Sequence, residues 1–413
     1  MYLIELGVGT PPQHILAQFD TGSSDLWVYS VDNPMCQYNG TDMDQVDCTF
    51  TGTFNSSASS TFREIEKGKF SDTYGGGYSV SGDWVWDRVI VGGTENGLVI
   101  NNMRFGLGHF ANASAAILGL GYPGTNNMTQ QIGGTKYRSL PQQLAADGTI
   151  VSAAFSIWLN DADASEGSVL FVPILNGSNK DENDEYVSFL IALSQIVVST
   201  VSREGTFEEK ETVDLLNGTT IQALLDSGAT KSFLPLELLS DFLYTTLNAT
   251  DDEDVGGTIF DCNLIMDESL PPVKFNFSGA IIEVPISSFA DEVEGDEGKC
   301  MFGIYQFGLP FALLGDAVLR QAYVVYDMEH HEIGLGQALL NVTGEEESIE
   351  VISGEIPKAT KASLYSQISA LTGGYFSLLS ENGVTGGSTY SDSGTSAGTA
   401  TRIGITGMSE RLV

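Results

Sequence analysis

Short runs of alternating or β-branched apolar residues follow one another along the first 340 residues. Clear examples are Tyr2–Gly7, Trp84–Val91, Phe155–Leu159 and Ala322–Tyr326, and turns rich in Gly, Asn and Asp separate such runs. Alternation at every second position is typical of strands with one buried face. The best helical signal is Pro235–Leu247, where a proline opens an apolar-periodic stretch. The pattern therefore predicts an all-β sandwich or barrel fold with few short helices.

The same part of the chain contains a faint internal repeat. One Asp-Thr-Gly triplet begins at Asp20, and one Asp-Ser-Gly triplet begins at Asp226. Each follows an apolar run, and each is followed much later by two apolar residues and a glycine, at Ile117–Gly119 and Leu313–Gly315. Two copies of one order of motifs indicate two lobes of similar topology.

We place the first lobe at residues 1–158 and the second at residues 159–341. Beyond them the composition changes, and Gly, Ser and Thr dominate residues 373–407. Because such sequences bury little apolar surface, we predict that residues 342–413 form a largely disordered tail.

The charge of the chain is strongly negative. Its 413 residues include 54 acidic and 18 basic ones, which gives a formal net charge of -36. Nucleic-acid binding needs clustered Lys and Arg, so this composition excludes a nucleic acid as partner. Two interpretations of the acidity stay open, namely solubility and work at acid pH, where protonated carboxyls repel one another less.

No run of 18 apolar residues occurs, so we expect no transmembrane segment.

The four cysteines fall into two local pairs, Cys36 with Cys48 and Cys262 with Cys300. They form no Cys-x-x-Cys motif, and the four histidines lie at no ligand spacing from them, which argues against a zinc site. Two disulfides that close local loops are the favoured interpretation, and they imply an oxidising compartment.

Glycosylation motifs agree with a secretory route. The chain has more Asn-x-Ser/Thr triplets than the roughly four expected by chance. They begin at Asn39, Asn55, Asn112, Asn127, Asn176, Asn217, Asn248, Asn276 and Asn341. Residues 1–20 contain no signal peptide, so we expect that a leader is missing from this sequence. We expect a secreted protein or one at the cell surface or cell wall.

The two triplets carry the candidate chemistry. Asp20–Val28 reads DTGSSDLWV and Asp226–Thr230 reads DSGAT. A carboxylate at the end of a buried strand, followed by a hydroxyl and a glycine, lies on a tight turn with donors close to its oxygens. A third triplet at Asp392 lies in the predicted tail with no apolar strand before it, so we regard it as a chance match.

Two further motif matches lack the structural context that their chemistry requires. Residues 119–124 match a dinucleotide-binding Gly-x-Gly-x-x-Gly, but Pro123 is poorly suited to open a helix there. Residues 394–398 match the Gly-x-Ser-x-Gly of hydrolases, but they lie in the predicted tail with no strand before them.

Taken together, the motifs resemble those of pepsin-type aspartic proteases over nearly all of residues 1–340. The motifs that carry the resemblance occur in that family's order at Gly7–Gln13, Asp20–Val28, Ile117–Tyr122, Asp226–Thr230 and Leu313–Asp327. The long Cys36–Cys48 loop, the glycosylation motifs and the tail are most similar to the fungal secreted branch near candidapepsins and yapsins.

This resemblance implies a bilobal all-β aspartic endopeptidase that acts on proteins or peptides. Asp20 and Asp226 would hold one water between them, and neither a cofactor nor a metal would be needed. We expect a monomer. The alternative is a pepsin-like binding or cell-wall protein without catalysis; the two intact aspartates argue against it.

The resemblance also assigns supporting roles. The hydroxyls of Thr21 and Ser227 would brace the lobes against each other, and Ser23 would hydrogen-bond the outer oxygen of Asp20. The remaining supporting residues of the two loops are Gly22 and Gly228.

The family's flap residues map onto Tyr74 and Gly75. Tyr74 would close over the substrate, with Trp27 as its indole partner. The alternative for Trp27 is a core tryptophan without a role at the flap.

One position departs from the family pattern. The counterpart of Ser23 in the second lobe is Ala229, so the outer oxygen of Asp226 would lack a hydroxyl donor. Loss of a donor to a carboxylate raises its pKa, and we therefore expect a less acidic pH optimum than that of a pepsin.

Overall fold

The computed structural model describes residues 2–36, 48–74, 77–94, 97–122, 137–159, 173–176, 179–180, 186–199, 212–235, 241–252, 255, 257–266, 270–293, 295–296, 298–307, 311–340, 356, 359–362 and 406–407. Strands dominate these residues, as the alternating pattern predicts. Three of the four runs named above lie within strands, and Phe155–Leu159 begins in a strand that ends at Ile157.

The first half of the chain forms one eight-stranded sheet. Its strands from this half are β1 Tyr2–Val8, β2 Gln13–Asp20, β3 Leu26–Tyr29, β4 Arg63–Thr73, β5 Ser79–Val91, β6 Leu98–Ala111 and β7 Ala116–Gly119. The order across the sheet is β28-β1-β2-β7-β3-β6-β5-β4, where β28 is Thr406–Gly407. The long hairpins β4–β5 and β5–β6 project the residues that follow β4 towards one end of the sheet.

The rest of the chain forms smaller sheets. Its strands are β8 Ala154–Ile157, β9 Pro173–Asn176, β10 Asn179–Lys180, β11 Tyr186–Ser188, β12 Leu190–Leu193, β13 Gln195–Ser199, β14 Thr212–Asp214, β15 Ile221–Leu225, β16 Ser232–Pro235, β17 Thr250–Asp252, β18 Gly257–Asp261, β19 Val273–Phe277, β20 Ala280–Val284, β21 Ala290–Glu292, β22 Lys299–Phe302, β23 Ile304–Phe307, β24 Phe311–Leu314, β25 Ala322–Asp327, β26 Glu332–Gln337 and β27 Thr360–Lys361. The sheets run β12-β15-β24-β16-β23, β14-β13-β19-β20, β17-β18-β22-β21, β27-β9-β26-β25-β8 and β10-β11.

Helices are short throughout the described residues. They are α1 Cys48–Thr51, α2 Leu140–Ala146 and α3 Asp316–Leu319, with 3₁₀ turns at Pro34–Cys36, Ser56–Ala58, Cys262–Leu264 and Ile286–Phe289. None of these helices is long and apolar enough to cross a membrane.

The helix predicted at Pro235–Leu247 does not begin at Pro235. Pro235 ends β16 instead of opening a helix, since it pairs at the end of that strand with Phe307 of β23, a position where a strand tolerates proline. Asp241–Thr246 forms a π-helical turn, and residues 236–240 lie outside the described part.

Two large hydrophobic cores lie in the described part of the molecule, one mainly in each half of the chain. One contains Trp27, Trp84 and Phe105, and the other contains Phe189 and Phe275. Phe19 and Phe155 are partly buried against both cores, and their rings meet edge to face at 6.5 Å. The two cores are therefore joined by direct aromatic packing beside the strand that ends at Asp20.

The predicted boundary at residue 158 lies directly after β8. This strand pairs with β25 of the second half, so one five-stranded sheet takes strands from both predicted lobes. Most of the predicted tail lies outside the described residues. In the described part of this tail, Thr360–Lys361 pairs with β9 and Thr406–Gly407 pairs with β1. The side chain of Ile356 is buried.

Two disulfides close local loops. They join Cys36 to Cys48 and Cys262 to Cys300, and the Cα–Cα distance is 5.1 Å in each. The second ties the turn after β18 to β22.

The hairpin β25–β26 is closed by a carboxylate that is 0% exposed. Asp327 accepts hydrogen bonds from the backbone N–H groups of Glu329 and His330, and its Oδ2 lies 2.7 Å from His330 Nδ1. The hydrogen bond from Asp327 raises the pKa of His330 above its ordinary value. The protonated imidazole is therefore stabilised in the folded state.

This pair predicts a pH-dependent stability. Because the pKa of His330 is higher in the folded state than in the unfolded state, the fold gains its full stabilisation below the ordinary His pKa of about 6.5. This stabilisation is lost as the pH rises through the pKa of the folded state. We expect His330→Gln to lower the free energy of unfolding at about pH 5 by at most about 1 kcal/mol, because the imidazole is partly exposed, and to have less effect at about pH 8. Denaturant titration of both proteins at both pH values measures this. His14→Gln, at a histidine 52% exposed and 3.5 Å from Glu5, is the control. An equal loss at both pH values would contradict the account.

Candidate active site

Both triplets lie where a parallel pair of strands ends. Asp20 ends β2, which runs parallel to β7 and pairs Asp20 with Gly119. Asp226 follows β15, which runs parallel to β24 and pairs Leu225 with Leu314. Each apolar-apolar-Gly motif is thus the strand beside its own triplet, and each such strand fixes one aspartate through parallel pairing.

The loop after each aspartate turns a backbone donor back onto its carboxylate. Gly22 N donates to Asp20 Oδ1 at 2.8 Å, and Gly228 N donates to Asp226 Oδ1 at 2.8 Å. Ser23 Oγ donates to the other oxygen of Asp20 at 2.5 Å. At Ala229, the corresponding position of the second loop, there is no hydroxyl to do the same.

The two loops approach so closely that each needs its glycine. A Cβ on Gly22 would lie 2.7 Å from the carboxyl group of Asp226, and a Cβ on Gly228 would lie 2.4 Å from Asp20 Oδ1. Real Cβ contacts are never this short, so any larger residue would force the two carboxyl groups apart.

Two hydroxyls join the loops by four reciprocal hydrogen bonds. Thr21 Oγ1 donates to Leu225 O at 2.8 Å and accepts from Ser227 N at 3.0 Å. Ser227 Oγ donates to Phe19 O at 2.9 Å and accepts from Thr21 N at 3.2 Å. Both side chains are buried, so these bonds hold the chain on either side of each aspartate without competition from water.

The two carboxyl groups interact with each other in a buried setting. Asp20 is 6% exposed and Asp226 is 9% exposed. Burial holds the pKa of Asp226 well above its usual range, and the charge of Asp20, a hydrogen bond with Asp20 and the charge of Asp316 raise it further, while the N–H of Gly228 lowers it. Two carboxyls this close cannot both ionise easily, so one proton stays on the pair.

A tyrosine approaches the aspartates from the β4–β5 hairpin. Tyr74 follows β4, its N–H donates to Tyr78 O at 2.8 Å, and its hydroxyl accepts from Trp27 Nε1 at 3.0 Å. Burial raises the pKa of Tyr74, and the charges of Asp72, Asp20 and Asp25 add to this. Trp27 is both a fully buried core residue and the partner of Tyr74, whereas Gly75 lies outside the described residues.

Sequence reasoning missed three residues that touch or influence this site. Gln18 Nε2 donates to Gly228 O at 2.6 Å, buried Asp316 lies close enough to raise the pKa of Asp226, and buried Asp25 accepts from the hydroxyl of Tyr137. Gln18 leaves a trace in the sequence, because it is the polar residue that interrupts the apolar run before Asp20.

Comparisons with known proteins connect the chain to one family. Residues 1–338 match the family model described as eukaryotic aspartyl protease. The chain is 31% identical to the probable aspartic-type endopeptidase OPSB of Arthroderma benhamiae, over 87% of this chain and 73% of that protein. It is 32% identical to aspartic proteinase yapsin-3 of Saccharomyces cerevisiae, over 88% of this chain and 71% of yapsin-3. Identity to the aspartic proteinase MKC7 of the same yeast is 30%, over 88% of this chain and 70% of MKC7.

The reciprocal hydroxyls yield a stability prediction. We expect Thr21→Val to destabilise the protein by about 1–3 kcal/mol, because it leaves Leu225 O and Ser227 N buried without their partner. Thr21→Ser retains the hydroxyl and is the matched control. We expect this variant to lose less stability than Thr21→Val. Chemical denaturation of the three proteins measures the difference. A valine variant as stable as the serine variant would show that the hydroxyl does not hold the loops together.

Proposed function

The chain belongs to the eukaryotic aspartyl protease family, and from this premise we propose that Asp20 and Asp226 together hold the water that cleaves the peptide bond. The chain is an aspartic endopeptidase that acts on protein substrates. The observation that supports the choice of residues is the buried carboxyl pair, in which each member accepts a glycine N–H and the charge of Asp20 raises the pKa of Asp226.

The reaction follows from the single shared proton. The ionised carboxylate takes a proton from the water as the water attacks the peptide carbonyl, and the protonated carboxyl donates its proton to the carbonyl oxygen. The attacking nucleophile is water, so no acyl-enzyme forms. Because the two groups titrate as a unit, we assign no separate acid and base roles to Asp20 and Asp226.

The neighbouring residues keep this pair in place. Thr21 and Ser227 hold the two loops at a fixed separation, Gly22 and Gly228 allow the approach, and Ser23 donates a hydrogen bond that orients the carboxyl group of Asp20.

We assign the role of a flap to the β4–β5 turn. Tyr74, oriented by Trp27, closes with Gly75 over the bound substrate and excludes water from it.

The setting of the enzyme also enters the proposal. Two disulfides favour an oxidising compartment, and together with the glycosylation motifs they support a protein that is secreted or lies at the cell surface. A net charge of -36 is best tolerated where many carboxyls are protonated, which supports work at acid pH. We retain residues 1–158 and 159–341 as the two lobes, with the aspartates at their junction.

Replacement of either aspartate tests the proposal. We expect Asp20→Asn and Asp226→Asn each to lower kcat/KM for peptide cleavage by at least about 100-fold, because the pair loses its acid–base function. Asp392→Asn, in the third triplet, is the matched control and should cleave like the unchanged protein. A statine-type transition-state mimic should inhibit the unchanged protein and the control.

Two outcomes would contradict the proposal. Retained cleavage in Asp20→Asn would place the chemistry elsewhere. Peptides that stay uncut by the unchanged protein from about pH 3 to 7, the range where a shared carboxyl proton is expected, would favour the binding protein without catalysis.

The missing hydroxyl at position 229 predicts the position of the alkaline limb of the pH–rate profile. Activity needs one proton on the pair, and that proton leaves at the raised pKa. We expect Ala229→Thr to give Asp226 a donor that lowers this pKa, so the alkaline limb of kcat/KM shifts to lower pH. Ala229→Val adds the same bulk without a hydroxyl and controls for packing. An unchanged limb in the threonine variant, or an equal shift in the valine variant, would contradict the role of the hydroxyl.

A further inference from the structure

Gln18 makes a hydrogen bond that crosses from one catalytic loop to the other. It lies on β2, two residues before Asp20, and its side-chain amide donates to the backbone carbonyl of Gly228 at 2.6 Å. The two residues are 210 positions apart in the chain. The strand that carries one aspartate therefore holds the loop of the other through this amide.

The loop at Gly228 has a particular need for such a restraint. A side chain there would collide with Asp20, so the position has to be glycine, and glycine is the residue whose backbone is least restricted. Yet the N–H of Gly228 has to point at Asp226 Oδ1. An external contact on the same residue can supply the restraint that its missing side chain cannot.

Two successive carbonyl groups of this loop, those of Gly228 and Ala229, accept hydrogen bonds from outside the loop. Gln18 holds Gly228 O, and the N–H of Asp316 donates to Ala229 O at 2.9 Å. The first comes from the opposite half of the chain and the second from the helix α3. Loss of the Gln18 amide would leave the carbonyl of Gly228 without this restraint, while Ser227 stays hydrogen-bonded to Thr21.

The two lobes differ at the position of Gln18. Gln18 pairs with Ile117 on β7, and at the same register of the second lobe Leu224 pairs with Leu313 on β24. Leucine has no side-chain donor, so Leu224 cannot make the equivalent contact to the loop of Asp20. That loop has Ser23 on its carboxylate instead, whereas the loop of Asp226 has Ala229 at the same place. The amide thus acts on the loop that lacks the hydroxyl.

We propose that Gln18 is a positioning residue for Asp226, which fixes Gly228 so that its N–H stays directed at that carboxylate. This inference rests on the proposed function of the two aspartates and concerns how their geometry is held. The charged groups around Asp226 are Asp20 and Asp316, and both raise its pKa, whereas the N–H of Gly228 lowers it. Loss of the amide should therefore reduce the catalytic step and leave substrate binding largely unchanged.

Kinetics of two matched variants test the proposal. We expect Gln18→Leu to lower kcat about 10-fold with KM within about two-fold, since a small misplacement of reacting groups slows chemistry more than binding. The alkaline limb of its pH–rate profile should move to higher pH, because a less well directed N–H lets the pKa of Asp226 rise. Gln13→Leu is the control: Gln13 lies on the same strand and donates to Asn55 O at 3.0 Å, away from both triplets.

A second variant separates positioning from packing. In Gln18→Glu a protonated carboxyl can still donate to Gly228 O, whereas an ionised one cannot. We expect its kcat to approach that of the unchanged protein at about pH 3.5, below the usual Glu pKa of about 4.3, and to fall towards that of Gln18→Leu as the glutamate ionises. Denaturant titration reports whether each variant remains folded.

Several outcomes would overturn the inference. They are a kcat for Gln18→Leu equal to that of Gln13→Leu, a change confined to KM or to the cleaved sequence, and a Gln18→Glu variant that follows Gln18→Leu at every pH. A change confined to KM would make Gln18 a substrate contact instead. If Asp20→Asn keeps its activity, the proposed function itself has failed, whereas loss of activity in Asp20→Asn with an unaffected Gln18→Leu removes this inference alone.

Discussion

The structure depends on keeping two buried carboxyl groups side by side. Burial and mutual repulsion both oppose this, since each favours a neutral group or a wider separation. The chain counters them with directed donors and with close packing of the loops. Gly22 and Gly228 supply the N–H groups and leave room for the approach, and the hydroxyls of Thr21 and Ser227 prevent the loops from moving apart.

The surrounding fold explains how loops 206 residues apart in sequence reach this geometry. Each aspartate lies at the end of a strand paired in parallel with an apolar-apolar-Gly strand, and each strand pair is rooted in a separate core. Phe19 and Phe155 pack against both cores, so the cores meet beside the site. Because packed interiors deform little, the separation of the two carboxyl groups is set by the packing of the halves.

Local patterns in the sequence were enough to predict the strands, the two triplets and the repeated motif behind them. Pro235 shows the limit of such patterns: its apolar-periodic context suggests a helix start, but the parallel partner β23 keeps it in a strand. Gln18 shows another limit, since nothing nearby in sequence reveals an acceptor 210 residues away. The position of Asp316 beside Asp226 is likewise a product of tertiary packing, and single-sequence reasoning has no access to it.

The central claim is that one proton remains on the Asp20–Asp226 pair at pH values where ordinary carboxyls are ionised. Carbon-13 NMR of labelled aspartate carboxyl groups, titrated with pH and assigned with the two Asp→Asn variants, measures this directly. The account predicts two separated titration steps for the pair, the upper one well above the ordinary aspartate pKa of about 3.9. In Asp20→Asn the remaining carboxyl should titrate in a single step at a lower pH than this upper step, because the charge of Asp20 no longer raises the pKa of Asp226. Two carboxyl signals that both titrate near the ordinary value would contradict it.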